Sequence, residues 1–239
     1  MIRQFSFFLF VISSFIVQAI FLNRFQLFFS YSSFIDGVPF TSSHNLVYKY
    51  LLIWYLPIAS MSLYFSGHLE DMKKYAIALF VRSYNRMKWM LNQYVHAFVV
   101  TVIFIFVQAF IMFVFHAYSE NIWTANGIKG LCMYLCTIYT LICVQSFLEL
   151  YIGARFSYLL VNLYIVFSIL LSNELPHELN WIHYLFIPNY GMGFRNGVSH
   201  SPIFEPYVIH FSIGCLILLF IQCLLVYFSV QRTKQMDWL

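Results

Sequence analysis

The chain has 239 residues, 62% of them hydrophobic and only 9% charged, against roughly 25% charged in a soluble domain. So few charges, with a formal net charge of +4, leave a lipid bilayer as the natural surroundings, and no nucleic-acid partner is expected. The 28 Phe and 18 Tyr are too many for an interfacial aromatic belt alone, so many must face lipid or neighbouring helices.

Six stretches of at least 18 residues contain no Asp, Glu, Lys or Arg: Gln4–Asn23, Tyr50–Leu69, Trp89–Ser119, Gly130–Leu148, Phe156–Asn173 and Pro206–Gln231. A helix rising about 1.5 Å per residue needs about 20 apolar residues to cross hydrocarbon. The expected architecture is therefore all-α. One polytopic membrane domain covers 1–239, with spans near 4–23, 50–69, 89–117, 130–148, 156–173 and 206–231. Arg3 precedes the first apolar run as in a signal peptide, but no small-x-small cleavage site follows, so that run reads as a retained first helix.

Loop charges set the orientation. A cytoplasmic N-terminus puts Arg3, Lys73, Lys74, Arg82, Arg86, Lys88, Arg155, Arg232 and Lys234 inside and only Arg24, Lys49, Lys129 and Arg195 outside. That bias obeys the positive-inside rule, and an even number of spans returns the C-terminus to the cytoplasm.

The first outer loop, Arg24–Lys49, carries the turn Asp36-Gly37-Val38-Pro39, and the second, Glu120–Lys129, carries Asn126-Gly127. The inner hairpin Glu149–Arg155 is very short. The five cysteines, Cys132, Cys136, Cys143, Cys215 and Cys223, all fall within spans. Cys132 and Cys136 share a helix face, but thiols at that depth without His or carboxylate partners are packing residues.

The inner connection 70–88 gathers the charges. Glu70 and Asp71 open it, where acids favour a helix N-terminus. Ile77, Phe80 and Val81 then recur at helical spacing, and Arg82-Ser83-Tyr84-Asn85 break the pattern before Arg86, Lys88 and Trp89. This reads as an amphipathic surface helix, a turn and re-entry into the membrane. Its basic residues either enforce topology and touch anionic headgroups, at about 1 kcal/mol each, or dock a cytoplasmic partner.

Six helices with both ends inside, a basic helix-turn between the second and third, a tight fourth-to-fifth hairpin and a larger outer excursion before the sixth resemble the permease subunit of ABC-2-type transporters. The stretch Arg82-Ser83-Tyr84-Asn85-Arg86-Met87-Lys88-Trp89-Met90-Leu91 is similar to the one that follows the coupling helix in that family, and the ending Gln231–Leu239 resembles its short basic tail. The resemblance implies that Glu70–Phe80 is a coupling helix seated in a groove of a separate ATP-hydrolysing subunit. Contacts to that subunit would then come from Glu70, Asp71, Lys73, Lys74, Tyr75, Ile77, Phe80, Arg82, Arg86 and Lys88, with Glu149 and Arg155 on the second inner loop. Two ATPase copies, and a second permease chain of the same or different kind, are the implied partners. Such permeases commonly open with an amphipathic elbow helix; here only Met1–Gln4 precede the apolar run, so that second contact with the ATPase is expected to be reduced or absent.

The outer connection 174–205 contains an uncharged, aromatic stretch, Leu179–Phe194, too short and too broken by Pro188, Gly191 and Gly193 to span. It suits an interfacial or re-entrant segment, and the resemblance implies short helices that close the outer end. A surface loop packed on the bundle fits the residues equally well. His177, Glu178 and His183 lack the His-Glu-x-x-His spacing that puts two ligands on one turn, so they read as solvated or headgroup-contacting side chains and no metal is expected.

No ionisable Asp, Glu, Lys or Arg sits at mid-span, where ion-driven transporters place theirs. Gln18, Gln108, Gln145, Asn162 and Gln222 are neutral and suited to hydrogen-bonding between helices. There is no phosphate loop and no nucleophile elbow, so neither an enzymatic activity nor a cofactor of the chain's own is expected. Three functions fit: an ATP-driven exporter permease moving a hydrophobic or antimicrobial peptide across a bacterial plasma membrane, a non-transporting scaffold or immunity protein, and a membrane-embedded enzyme using His177, Glu178 and His183.

Overall fold

Backbone N–H and C=O groups have no water to bond in hydrocarbon, so each apolar run must satisfy them within its own helix. In the computed structural model, which describes residues 2–24, 34–41, 43–69, 85–117, 124–175, 180–199 and 209–235, that is what happens. The helices are α1 (Ile2–Arg24), α2 (His44–Phe65), α3 (Arg86–Val114), α4 (Ala125–Ile152), α5 (Ala154–Glu174), α6 (Asn180–His183), α7 (Ile187–Tyr190), α8 (Gly193–Asn196) and α9 (Phe211–Gln235). Six of them, α1 to α5 and α9, are long and apolar enough to span a membrane. Among the described residues there is no strand.

Several ends lie outside the charge-free runs, because capping rather than charge decides them. The Asn85 side chain accepts from the Met87 amide and so starts α3 at Arg86, which draws Arg86 and Lys88 into its first turn. Thr124 accepts from the Gly127 amide and starts α4 before Lys129, while α2 begins at His44 and takes in Lys49. The expected hairpin Glu149–Arg155 contracts to one residue, Gly153, whose φ of 81° and ψ of 167° turn the chain between α4 and α5. The last span starts at Phe211 and runs to Gln235, later than expected at both ends.

α4 is the hub, touching α2, α3, α5, α7 and α9, while α1 packs on α2 and α3. Aromatic edges fill the centre: Phe104 meets Phe15 and Tyr64, and Tyr134 meets Phe34 and Trp54. Outward faces of α3 (Phe106, Phe110), α5 (Phe156, Phe167) and α9 (Leu216, Phe220) are exposed and apolar, as lipid requires.

All five mid-span amides bridge helices. Gln18 donates to the Ile53 carbonyl at 3.1 Å, and Gln108 donates to Gln18 at 2.7 Å. Gln145 exchanges hydrogen bonds with the Ser62 hydroxyl and carbonyl, Asn162 donates to Ser62 and accepts from Tyr55, and Gln222 donates to the Cys136 carbonyl and Thr140.

Candidate functional site: a plug in the outer end of the bundle

Between α5 and α9, residues 188–196 are buried rather than laid over the surface, while Trp181 and Leu185 stay exposed. Three one-turn helices, α6 to α8, fold back into the end of the bundle that the charge bias makes the outer one. Pro188 fits the first turn of α7, where its missing N–H costs nothing, and Gly191 ends that helix. α7 wedges against α4, α5 and α9, and Tyr190, Met192, Arg195 and Asn196 are all buried.

Small residues permit this close seating. A Cβ on Gly191 would come within 3.0 Å of the Thr137 side chain on α4, and one on Gly214 within 3.0 Å of the Tyr190 ring. The described part of the first outer loop, 34–41, straps the plug from above. Gly193 donates its amide to the Ile35 carbonyl at 2.8 Å and Phe194 to the Asp36 carbonyl at 3.0 Å. Gly37 has φ of 72°, and a Cβ there would lie 2.7 Å from the Cβ of Met192. Thr41 and Asn173 exchange hydrogen bonds, which ties the far end of the strap to α5.

Inside the plug runs a buried polar chain. Ser172 and His183 Nδ1 are 2.9 Å apart, Asn189 donates to Ser172 at 2.8 Å and to the His183 carbonyl at 3.2 Å, and Arg195 Nη1 donates to Asn189 Oδ1 at 2.7 Å. Arg195 Nε donates to the Val38 carbonyl at 2.7 Å, and its guanidinium sits 4.5 Å from the centre of the Phe40 ring. Arg195 is 0% exposed, and its Nη2 has no hydrogen-bond partner among the described residues. Burial pushes the guanidinium down to about 9, which still leaves it charged at neutral pH. The carboxylate of Asp36, in the same strap, accepts from the Ser199 hydroxyl.

Two expectations change here. His183 is not a solvated or headgroup-contacting side chain; it is 1% exposed, packed edge-on to Phe40, because its Nδ1 finds Ser172. Arg195, counted among the outer loop charges, is buried for a similar reason, since two acceptors and a ring face meet it. His177 and Glu178 lie outside the described residues. Ser172 beside His183 has the outline of a nucleophile and base, but both are at most 1% exposed and a substrate has no approach to them. The network holds the plug; it does not present chemistry.

At the opposite end, Glu70, Asp71, Lys73, Lys74, Tyr75, Ile77, Phe80 and Arg82 lie outside the described residues. Arg86 is half-buried and donates to the Lys234 carbonyl at 3.2 Å, capping the last turn of α9, where a cation also suits the helix dipole. Lys88 and Arg155 are exposed. Glu149 is 1% exposed on a helix whose inner end joins Leu150 to the cluster of Leu69, Trp89, Met90, Tyr94, Cys143 and Val230, so it does not offer the accessible contact expected of it. Arg232 lies 4.8 Å over the Tyr151 ring. Among the described residues no group of three His, Cys, Asp or Glu is placed to hold a metal.

Sequence reasoning missed Ser172, Asn189 and Arg195 as a unit. The available signal was Arg195 itself, a lone cation closing an uncharged aromatic stretch studded with Gly and Pro.

No solved structure matches the chain. A relative from Bacillus subtilis (strain 168), "Uncharacterized protein YybK", is 32% identical over 216 residues, covering 86% of each chain. The profile of the family described as "Protein of unknown function (DUF2705)" matches residues 7–239, and the chain therefore belongs to the DUF2705 family.

Proposed function

We propose that the chain is the transmembrane permease subunit of an ATP-driven exporter of ABC-2 type, resident in a bacterial plasma membrane and powered by a separate ATPase. The observation that carries this is the plug: a connector folded into one end of a six-span bundle and strapped there is the form of a gate, and a passive scaffold has no need of one. The buried interior supports the same reading. Its inter-helix polar contacts at mid-span are neutral amides, hydroxyls and carbonyls, so the chain has no ionisable coupling group there and depends on energy from elsewhere. The exposure of Lys88 and Arg155, at the inner ends of α3 and α5, supports a contact with a cytoplasmic subunit there. An apolar or amphipathic cargo, such as a hydrophobic or antimicrobial peptide, suits a pathway formed beside these aromatic faces by two permease chains.

The test is purification from native membranes in mild detergent with mass spectrometry of everything retained. A stoichiometric ATPase with a phosphate loop is the expected result, and it should be lost from a Lys88→Glu/Arg155→Glu variant that still folds. A chain that comes down alone, in conditions preserving other transporters, overturns the permease reading in favour of a scaffold or immunity role.

A further inference from the structure

Among the described residues the plug's buried cation has no carboxylate within salt-bridge distance, the Asp36 carboxylate of the strap being taken up by Ser199. Arg195 is wholly buried and keeps company with the Val38 carbonyl, the Asn189 amide oxygen and the Phe40 ring, none of which carries a formal charge. Its Nη2 makes no hydrogen bond among the described residues. Dipoles and a ring face recover only part of the hydration that a cation loses on burial. Moving the plug outward would return the guanidinium to water, whereas a closed plug bears the full desolvation.

We propose that α6–α8 is a gate held closed under tension, in which the buried charge of Arg195, unpaired with any carboxylate among the described residues, favours opening, while Asn189, Val38, Phe40 and the buried Tyr190 and Met192 oppose it. The elements are sized for this. The strap meets the plug through two backbone bonds, Gly193 to Ile35 and Phe194 to Asp36, through Arg195 and the Asp36–Ser199 contact, and through the packing of Phe40 on His183 and of Gly37 on Met192. Opening also has to withdraw Met192 from the core cluster it shares with Phe104 and Tyr134, a cost that helps hold the plug closed. What the opening serves rests on the permease reading; the tension itself belongs to this chain alone.

A counter-charge should relax the tension. Asn189→Asp keeps the oxygen that receives Arg195 Nη1 and makes it anionic, so it pairs the buried cation in place. Hydrogen–deuterium exchange on the full-length chain in nanodiscs, without any ATPase, reads plug opening through the amides of Gly193 and Phe194. The expected result is exchange slowed about tenfold or more in peptides covering 190–197, with peptides from the middle of α4 unchanged. In an Arg195→Gln background the same Asn189→Asp change should speed exchange, because it then buries an unpaired carboxylate. Loss of the Asn189 N–H groups to the Ser172 hydroxyl and the His183 carbonyl is common to both backgrounds, so a reversal of sign isolates the charge. Exchange unchanged or faster for Asn189→Asp beside the native Arg195 overturns the proposal, and that arm decides alone if Arg195→Gln does not fold. The outcome is independent of whether an ATPase co-purifies, so this inference and the permease reading fail separately.

Discussion

Gln108 on α3 donates to the side-chain oxygen of Gln18 on α1 at 2.7 Å, and both residues are at most 1% exposed. Gln18 passes the connection on to the Ile53 carbonyl of α2, and the Tyr134 hydroxyl of α4 approaches Gln108 Oε1 at 3.4 Å. One amide pair thus couples four helices where lipid offers no substitute partner. Gln108→Leu should cost about 1–2 kcal/mol, and Gln18→Leu a similar amount, since each leaves the other amide unsatisfied. The double variant should cost less than the sum. Unfolding of the four proteins in mixed micelles measures the coupling, and strict additivity would show that the two amides do not act together.

Much of this was readable beforehand. Helix count and the bridging role of Gln18, Gln108, Gln145, Asn162 and Gln222 follow from charge exclusion and from the cost of burying a lone amide. Helix ends were less legible, because Asn85 and Thr124 act through local hydrogen bonds that hydropathy does not register. The plug was legible as a segment and not as a network. Ser172 sits at the end of a span and Arg195 lies 23 positions later, and no periodicity links them; only the fold-back of α7 does.

Gly37 is the tightest point of the strap. Its φ of 72° disfavours any L side chain, and the space a Cβ would need is taken by Met192. Gly37→Ala should lift the strap and cost about 1–3 kcal/mol. Adding Met192→Ala should restore the part due to collision and leave the part due to backbone strain. Limited proteolysis from the outer face checks this: the single variant should be cut faster in the plug than the double, and equal rates would remove Met192 from the explanation.

Gly153 carries the whole turn between α4 and α5. Its φ of 81° with ψ of 167° belongs to a region open to glycine almost alone. Gly153→Ala should cost about 1–3 kcal/mol and shift α5, whose Ser157 and Asn162 follow directly. Because Asn162 reaches Ser62 and Tyr55, the loss should be smaller in a Tyr55→Phe background that has already surrendered one of those contacts. Apparent melting temperatures of the set in detergent decide it, and full additivity would confine the damage to the turn.

Charge reversal at the inner end should separate residues that sequence alone grouped together. Lys88 and Arg155 are exposed, so Lys88→Glu and Arg155→Glu should each change stability by no more than about 0.5 kcal/mol. Glu149, three residues before the end of α4 and 1% exposed, is different. Glu149→Lys forces a longer side chain of opposite charge into protein that packs it closely, at a cost of about 3 kcal/mol or more. If an ATPase docks here, the two exposed variants should lose it while their melting temperatures hold, whereas Glu149→Lys should lose it only in proportion to its lost folded yield. Thermal stability and co-purification measured on the same preparations distinguish these outcomes. A stable Glu149→Lys protein that sheds the ATPase selectively would return Glu149 to the docking surface and contradict its burial.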